Sequence, residues 1–184
     1  MELKTFLEQT LDECKRRLYR TLQDLTPAEL AWCPGPEANS ISFMVWHVAR
    51  VEDRWLHRFA QDTTEVWQRD EWSQRCGLPE HDTGVGYTAA QVASFPHPDL
   101  KDLQGYFDAV RQETLTYLRG MDTSELDVHP QRIPFPEVSG GRPLPDDFTI
   151  GRMFRQLIGE ENQVESVLSN DFVPRAGHDD RSEK

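Results

Sequence analysis

Four stretches of this chain repeat their apolar residues every three or four positions, and none alternates apolar with polar residues over a strand's length. That spacing gathers side chains on one face of a helix, so the pattern predicts an all-α chain. The first stretch, residues 2–22, carries Leu3, Phe6, Leu7, Leu11, Cys14, Leu18 and Leu22. The second, residues 42–59, carries Phe43, Trp46, His47, Val51, Trp55 and Phe59, with Asn39 or Ser40 as its cap. Pro98 and Asp99 open the third, which holds Leu100, Leu103, Phe107, Val110, Leu115 and Leu118 and stops at Gly120. Thr149 caps the fourth, whose inward face is expected at Ile150, Met153, Phe154, Leu157, Ile158, Val164, Val167 and Leu168. A four-helix bundle buries all four apolar faces at once.

The connections are unequal. Thr26-Pro27 with Glu29 opens a short turn that Cys33-Pro34-Gly35-Pro36 ends, and a link this short places helices one and two near each other. Residues 60–98 scatter Trp67, Trp72, Leu78, Val85, Tyr87 and Phe95 among Gly, Pro and charges, which predicts an ordered excursion with one or two helical turns after Thr88. Residues 121–147 hold prolines at 130, 134, 136, 143 and 145 and the pair Gly140-Gly141, so a long crossover loop without regular structure is expected. The bundle accounts for residues 1–172 as one domain, and the polar residues 173–184 are expected to form a mobile tail.

Charge narrows the partners. With 20 Lys+Arg against 32 Asp+Glu the net charge is −12, and no run of basic residues exists to hold a nucleic acid or an anionic bilayer. The N-terminus mixes charged with apolar residues and does not resemble a signal peptide, and no stretch approaches the roughly 20 apolar residues of a membrane span. Cys14, Cys33 and Cys76, odd in number and far apart, read as reduced thiols, and a cytoplasmic location is expected.

Chemistry concentrates on two helices. His47 lies in the apolar part of helix two, expected to face the bundle axis with Arg50, Val51 and Arg54 nearby; it is either a core histidine with one hydrogen bond or a functional group. His57, ten residues on and about 280° around the helix, cannot chelate with it and is expected at the surface. On helix four the stripe Met153, Leu157, Glu160, Val164, Val167 places a carboxylate where an apolar residue belongs, and its partner is expected to be His47, or Arg50 or Arg54. Neither a GxSxG elbow nor a phosphate-binding loop is present, Gly84-Val85-Gly86 reads as an ordinary turn, and Asp70-Glu71 and Asp146-Asp147 read as solvated loop acids.

The segment from Ser40 to Trp55, SISFMVWHVARVEDRW, closely resembles the second helix of the DinB-like (YfiT-like) metalloenzyme superfamily. The likeness continues through Asp70-Glu-Trp72, Gly77-Leu-Pro79, Gly84-Val-Gly86, Tyr106 and Val110 in helix three, and Thr149-Ile-Gly151, covering roughly residues 1–170. The resemblance implies an up-down-down-up four-helix bundle, often a homodimer. It also implies a divalent metal, usually zinc or nickel, held by one His of helix two and two His of an HxxxH motif on helix four. Members with assigned roles include transferases and isomerases that use mycothiol or bacillithiol, and metal-dependent hydrolases. Carried over residue by residue, His47 matches the helix-two ligand, but the segment expected as HENQH reads Glu160-Glu161-Asn162-Gln163-Val164. Glu160 still offers an oxygen, whereas Val164 has no donor atom, leaving two protein ligands where a catalytic zinc normally keeps three.

Three functions follow as expectations. The first is a metal-depleted member that binds a small molecule in a cleft between helices two and four, lined by Trp46, Arg50, Arg54, Glu160 and Gln163, with a His47–Glu160 hydrogen bond filling the old site. The second is an enzyme of the hydrolase or thiol S-transferase/isomerase type. It either binds metal through His47, Glu160 and a third donor such as His81, His97 or His129, or works without metal on His47 as general base. The third is a homodimeric interaction module in which Trp67 and Trp72 either form the interface or pack inside the protomer.

Overall fold

The computed structural model describes residues 3–35 and 38–170, with positions 163–170 given as helix backbone only. The tail expected at 173–184 and the side chains of Gln163, Val164, Val167 and Leu168 lie outside the described residues. Four long helices form where the periodicity places them: α1 (Leu3–Leu22), α2 (Ile41–Arg54), α3 (Leu100–Gly120) and α4 (Ile150–Asn170). Local chemistry sets their ends. The Ser40 hydroxyl accepts from the amide of Phe43, Asp99 from that of Lys101, and Thr149 from that of Arg152.

Cross-helix contacts fix the directions. Arg50 meets Tyr106, Glu52 meets Arg111 and His57 meets Glu113, so α2 and α3 run parallel. Leu3 and Leu7 lie beside the start of α4 while Arg17 reaches Asn162, so α1 and α4 also run parallel. Lys4 donates to the carbonyls of Arg119 and Met121, which sets α1 antiparallel to α3. The result is the up-down-down-up bundle. Contrary to the expectation from the short link, α1 and α2 are not neighbours: α1 packs against α4 and α3, α2 packs against α3 and α4, and the link crosses the bundle's diagonal.

Both long connections are more regular than their composition implies. The first carries short helices at Val66–Arg69, Trp72–Cys76 and Ala89–Ala93, the last opened by a capping box of Thr88 and Gln91. The second, expected to be irregular, holds a 3₁₀ turn at Thr123–Asp127 and a helical turn at Pro136–Ser139. Asp122 and Glu125 cap the former reciprocally and Pro136 opens the latter, so local capping overrides the proline content. Helix α2 does not end at Arg54 but widens into a π-helical turn, Trp55–Gln61, closed by Asp62 at φ +58° and by the Thr63 amide donating to the His57 carbonyl at 2.9 Å.

Two apolar clusters fill the bundle. One joins Leu18 and Leu22 of α1 and the first half of α2 to Trp67, Phe95, Tyr106 and Phe107. The other joins Leu7 and Leu11 to Val51, Trp55, Leu118, Met153, Phe154 and Leu157. Where they meet, Arg111 donates to both oxygens of Glu52, at 2.9 and 2.8 Å, to Glu161, and to the carbonyl of Leu11 at 2.6 Å. One buried guanidinium thus ties all four helices together.

Candidate functional site

Every residue of α2 from Ile41 to Arg54 is buried except His47. The reason is topological: one side of α2 faces α3 and α4, and the excursion that follows it covers the other. His47 is half-buried. Its Nδ1 donates to the Thr83 carbonyl at 2.7 Å, its ring stacks on Phe43 at 5.5 Å between centroids, and burial holds its pKa below the ordinary value. The turn that receives it is built tightly against the helix. The Asp82 carboxylate accepts from the amides of Thr83 and Gly84 and from Tyr87, and Arg50 Nε donates to the Asp82 carbonyl at 2.9 Å. Gly84 sits at φ +73°, where a Cβ atom would stand 2.8 Å from the Trp46 ring, so only glycine closes this turn.

Arg50 and Arg54 do not reach Glu160. Arg50 donates to Glu65 at 2.7 Å, Asp53 at 3.2 Å and Tyr106 at 3.0 Å, and lies over the Trp67 ring. Arg54 pairs with Glu65 at 3.3 Å and Glu137 at 2.8 Å. Asp53 binds the excursion to the helix by accepting from the amides of Val66 and Trp67 and from the Tyr106 hydroxyl. His57, expected at the surface, is 2% exposed in this network, 2.7 Å from Asp53 and 2.9 Å from Glu113. Burial opposes the charged ring, but the hydrogen bonds and charge of Asp53 together with the Glu113 hydrogen bond outweigh it, and the His57 pKa is raised. The face carrying Arg50, Asp53, Arg54 and His57 is covered by α3 and the excursion rather than by water. Their spacing of three, four and seven is itself helical, and that polar stripe is the signal that would have revealed the covered face.

On α4 the inward carboxylate is Glu161, 4% exposed, and not Glu160. The buried stripe runs Met153, Phe154, Leu157, Glu161, one position out of phase with the expected one. Glu160 is half-buried, accepts from Gln156 Nε2 at 3.2 Å, and has its pKa raised by burial; the expected His47–Glu160 hydrogen bond is replaced by these separate contacts. It borders an open cleft of about 470 Å³ lined by Phe148, Arg152, Arg155, Gln156 and Gly159, with Phe148 stacked on Trp55 at 5.0 Å. Trp46 and Arg50, expected in such a cleft, are fully buried away from it, and Arg54 is held at Glu65 and Glu137.

The profile of the DinB superfamily matches residues 10–163. The chain belongs to the DinB superfamily. A crystal structure described as that of a conserved protein of locus from Enterococcus faecalis superposes on this DinB chain with a TM-score of 0.75 and 20% identity, over 93% of this chain and 95% of that one. No functionally curated protein matches it.

This DinB-superfamily chain does not present the metal-binding set that the resemblance implies. Among the described residues no three His, Cys, Asp or Glu side chains converge so as to hold an ion. His81, His97 and His129 are engaged elsewhere: His81 with Gln68 at 2.7 Å, His97 with Ser42 at 2.7 Å, and His129 with the Pro145 carbonyl at 3.1 Å. His47 keeps Nε2 as an acceptor, but no second donor of the described set joins it. Trp67, one of two residues considered for a dimer interface, is fully buried and donates to the Pro79 carbonyl, and Trp72 lies against Gly105 and Tyr106 of its own chain. The three cysteines are free thiols, and no helix among the described residues is long and apolar enough to cross a membrane.

Proposed function

We propose that this chain is a DinB-superfamily protein without a metal centre that binds a small molecule at the Glu160 cleft. The supporting observation is the cleft itself, which brings Phe148, Glu160 and Arg155 together in a volume of about 470 Å³. That volume falls in the range of roughly 300–1,000 Å³ common to small-molecule sites. A lining that carries both charges and an aromatic ring suits a compact zwitterion, with a cationic group for Glu160, a carboxylate for Arg155 and a flat apolar part for Phe148. His47 serves here as the pin that holds the 82–87 turn against α2.

L-phenylalanine is the probe, with benzoate and phenethylamine as analogues carrying one charge each. The zwitterion is expected to raise the melting temperature more than either analogue, and Glu160→Gln is expected to abolish that difference. Equal responses to all three compounds, or a response unchanged in Glu160→Gln, would contradict the assignment.

A further inference from the structure

The buried ring of His57 lies between two carboxylates. Its Nδ1 stands 2.7 Å from Asp53 Oδ1 and 3.1 Å from the Asp53 carbonyl, and its Nε2 stands 2.9 Å from Glu113 Oε2. All three partners are acceptors while both acids are ionised, and the donors around them keep them so. Asp53 accepts from the amides of Val66 and Trp67, from the Tyr106 hydroxyl and from Arg50, and Glu113 accepts from both terminal nitrogens of Arg69. A neutral imidazole has one donor and one acceptor, so only the doubly protonated ring satisfies both sides. The other charges at this junction are engaged among themselves: Glu65 with Arg50, Arg54 and Arg58, Asp70 with Arg69, and Arg132 of the crossover with the carbonyls of Phe59 and Ala60. The ring therefore joins three elements: the π-helical turn that carries it, α3 through Glu113, and the excursion through Arg69 and through the amides held by Asp53.

We infer that His57 is a proton-operated latch: its imidazolium ties the π-helical turn to α3 and holds the excursion against α2, and loss of the proton as pH rises frees Glu113 and loosens residues 55–76. The proton leaves Nε2 for water. Asp53 is fully buried and keeps the Nδ1 proton, whereas the Glu113 side chain is 34% exposed and can turn outward once the lone pair of Nε2 faces it. The sign agrees with the raised pKa of this ring: the contribution of the latch is complete below the ordinary histidine value and is lost as pH rises through the raised one. The latch goes beyond the Glu160 cleft, since none of its residues lines that cleft.

Nitrogen NMR of the histidine rings in the full chain, with amide hydrogen exchange followed from about pH 6 to about pH 9, tests this. Both ring nitrogens of His57 are expected to carry protons at neutral pH. Protection of the Thr63, Val66 and Trp67 amides, corrected for the intrinsic pH dependence of exchange, is expected to fall about tenfold or more with the midpoint of the ring titration. Glu113→Gln is expected to flatten that dependence, because an amide accepts from the charged ring and donates to the neutral one alike, and its partly exposed position lets the variant fold. A His57 ring with a single proton at the acid end, protection that does not change through the ring titration, or an unaltered pH dependence in Glu113→Gln would overturn the inference.

Discussion

Arg111→Met is expected to leave the protein unfolded or severely destabilised at neutral pH. The wild-type guanidinium is 1% exposed, and it is the cation that faces Glu52 and Glu161 where the two apolar clusters meet. Removing it takes away the cation that Glu52 and Glu161 share and leaves the Leu11 carbonyl without its donor. Breaking a buried ion pair from one side costs about 3–5 kcal/mol, a large part of the roughly 5–15 kcal/mol that holds a domain together. The combined substitution Glu52→Leu, Arg111→Met, Glu161→Leu is expected to recover most of the loss, since a well-packed apolar replacement carries no desolvation penalty. Urea denaturation of the two proteins checks this. A single Arg111→Met variant as stable as wild type would show that the guanidinium does not hold the bundle centre.

The second large effect is on pH dependence. Burial pushes the Glu161 pKa up to about 8 from 4.5, against the lowering influence of Arg111, and one of its oxygens has no hydrogen-bond partner. The folded state therefore holds a proton between these values that the unfolded chain has released. Stability from this group is full below about pH 4.5 and falls as pH rises toward 8, then levels off. At about 1.4 kcal/mol for each pH unit, the loss is on the order of 3–5 kcal/mol. Glu161→Gln removes the titration, so its melting temperature is expected to match wild type near pH 5 and to exceed it above pH 8. His57 and His47 add pH dependences of opposite sign, because the pKa of one is raised and that of the other lowered. The difference between wild type and Glu161→Gln isolates the glutamate. Parallel pH profiles for the two proteins would contradict the assignment.

The bundle was legible because its signals are local. Ser40, Thr26, Thr88 and Thr149 cap the turns that follow them through bonds spanning two or three residues, and each α-helix follows from apolar spacing within its own segment. What depended on distant partners was not legible. His57 is buried by Glu113 from α3, and Arg50 by Glu65 from the excursion; neither neighbour is predictable from the helix that carries the residue. The inward carboxylate falls at Glu161 rather than Glu160 because the face of α4 buried against α1 and α2 runs through Met153, Phe154 and Leu157, and Arg111 pairs with the glutamate on that face. The changed motif at Glu160 and Val164 was readable from the letters alone. That His47 would donate Nδ1 to Thr83 required the turn, and the turn required Gly84 at positive φ.

The proposed function requires that His47 and Glu160 form no part of a metal centre. Its most direct test is the metal content of untagged protein, measured together with the melting temperature in zinc, nickel and EDTA. Metal well below one ion per chain and a melting temperature indifferent to EDTA are the predicted results. One zinc or nickel per chain, with an EDTA-sensitive stabilisation that His47→Ala abolishes, would contradict the account and restore the metal-dependent enzyme.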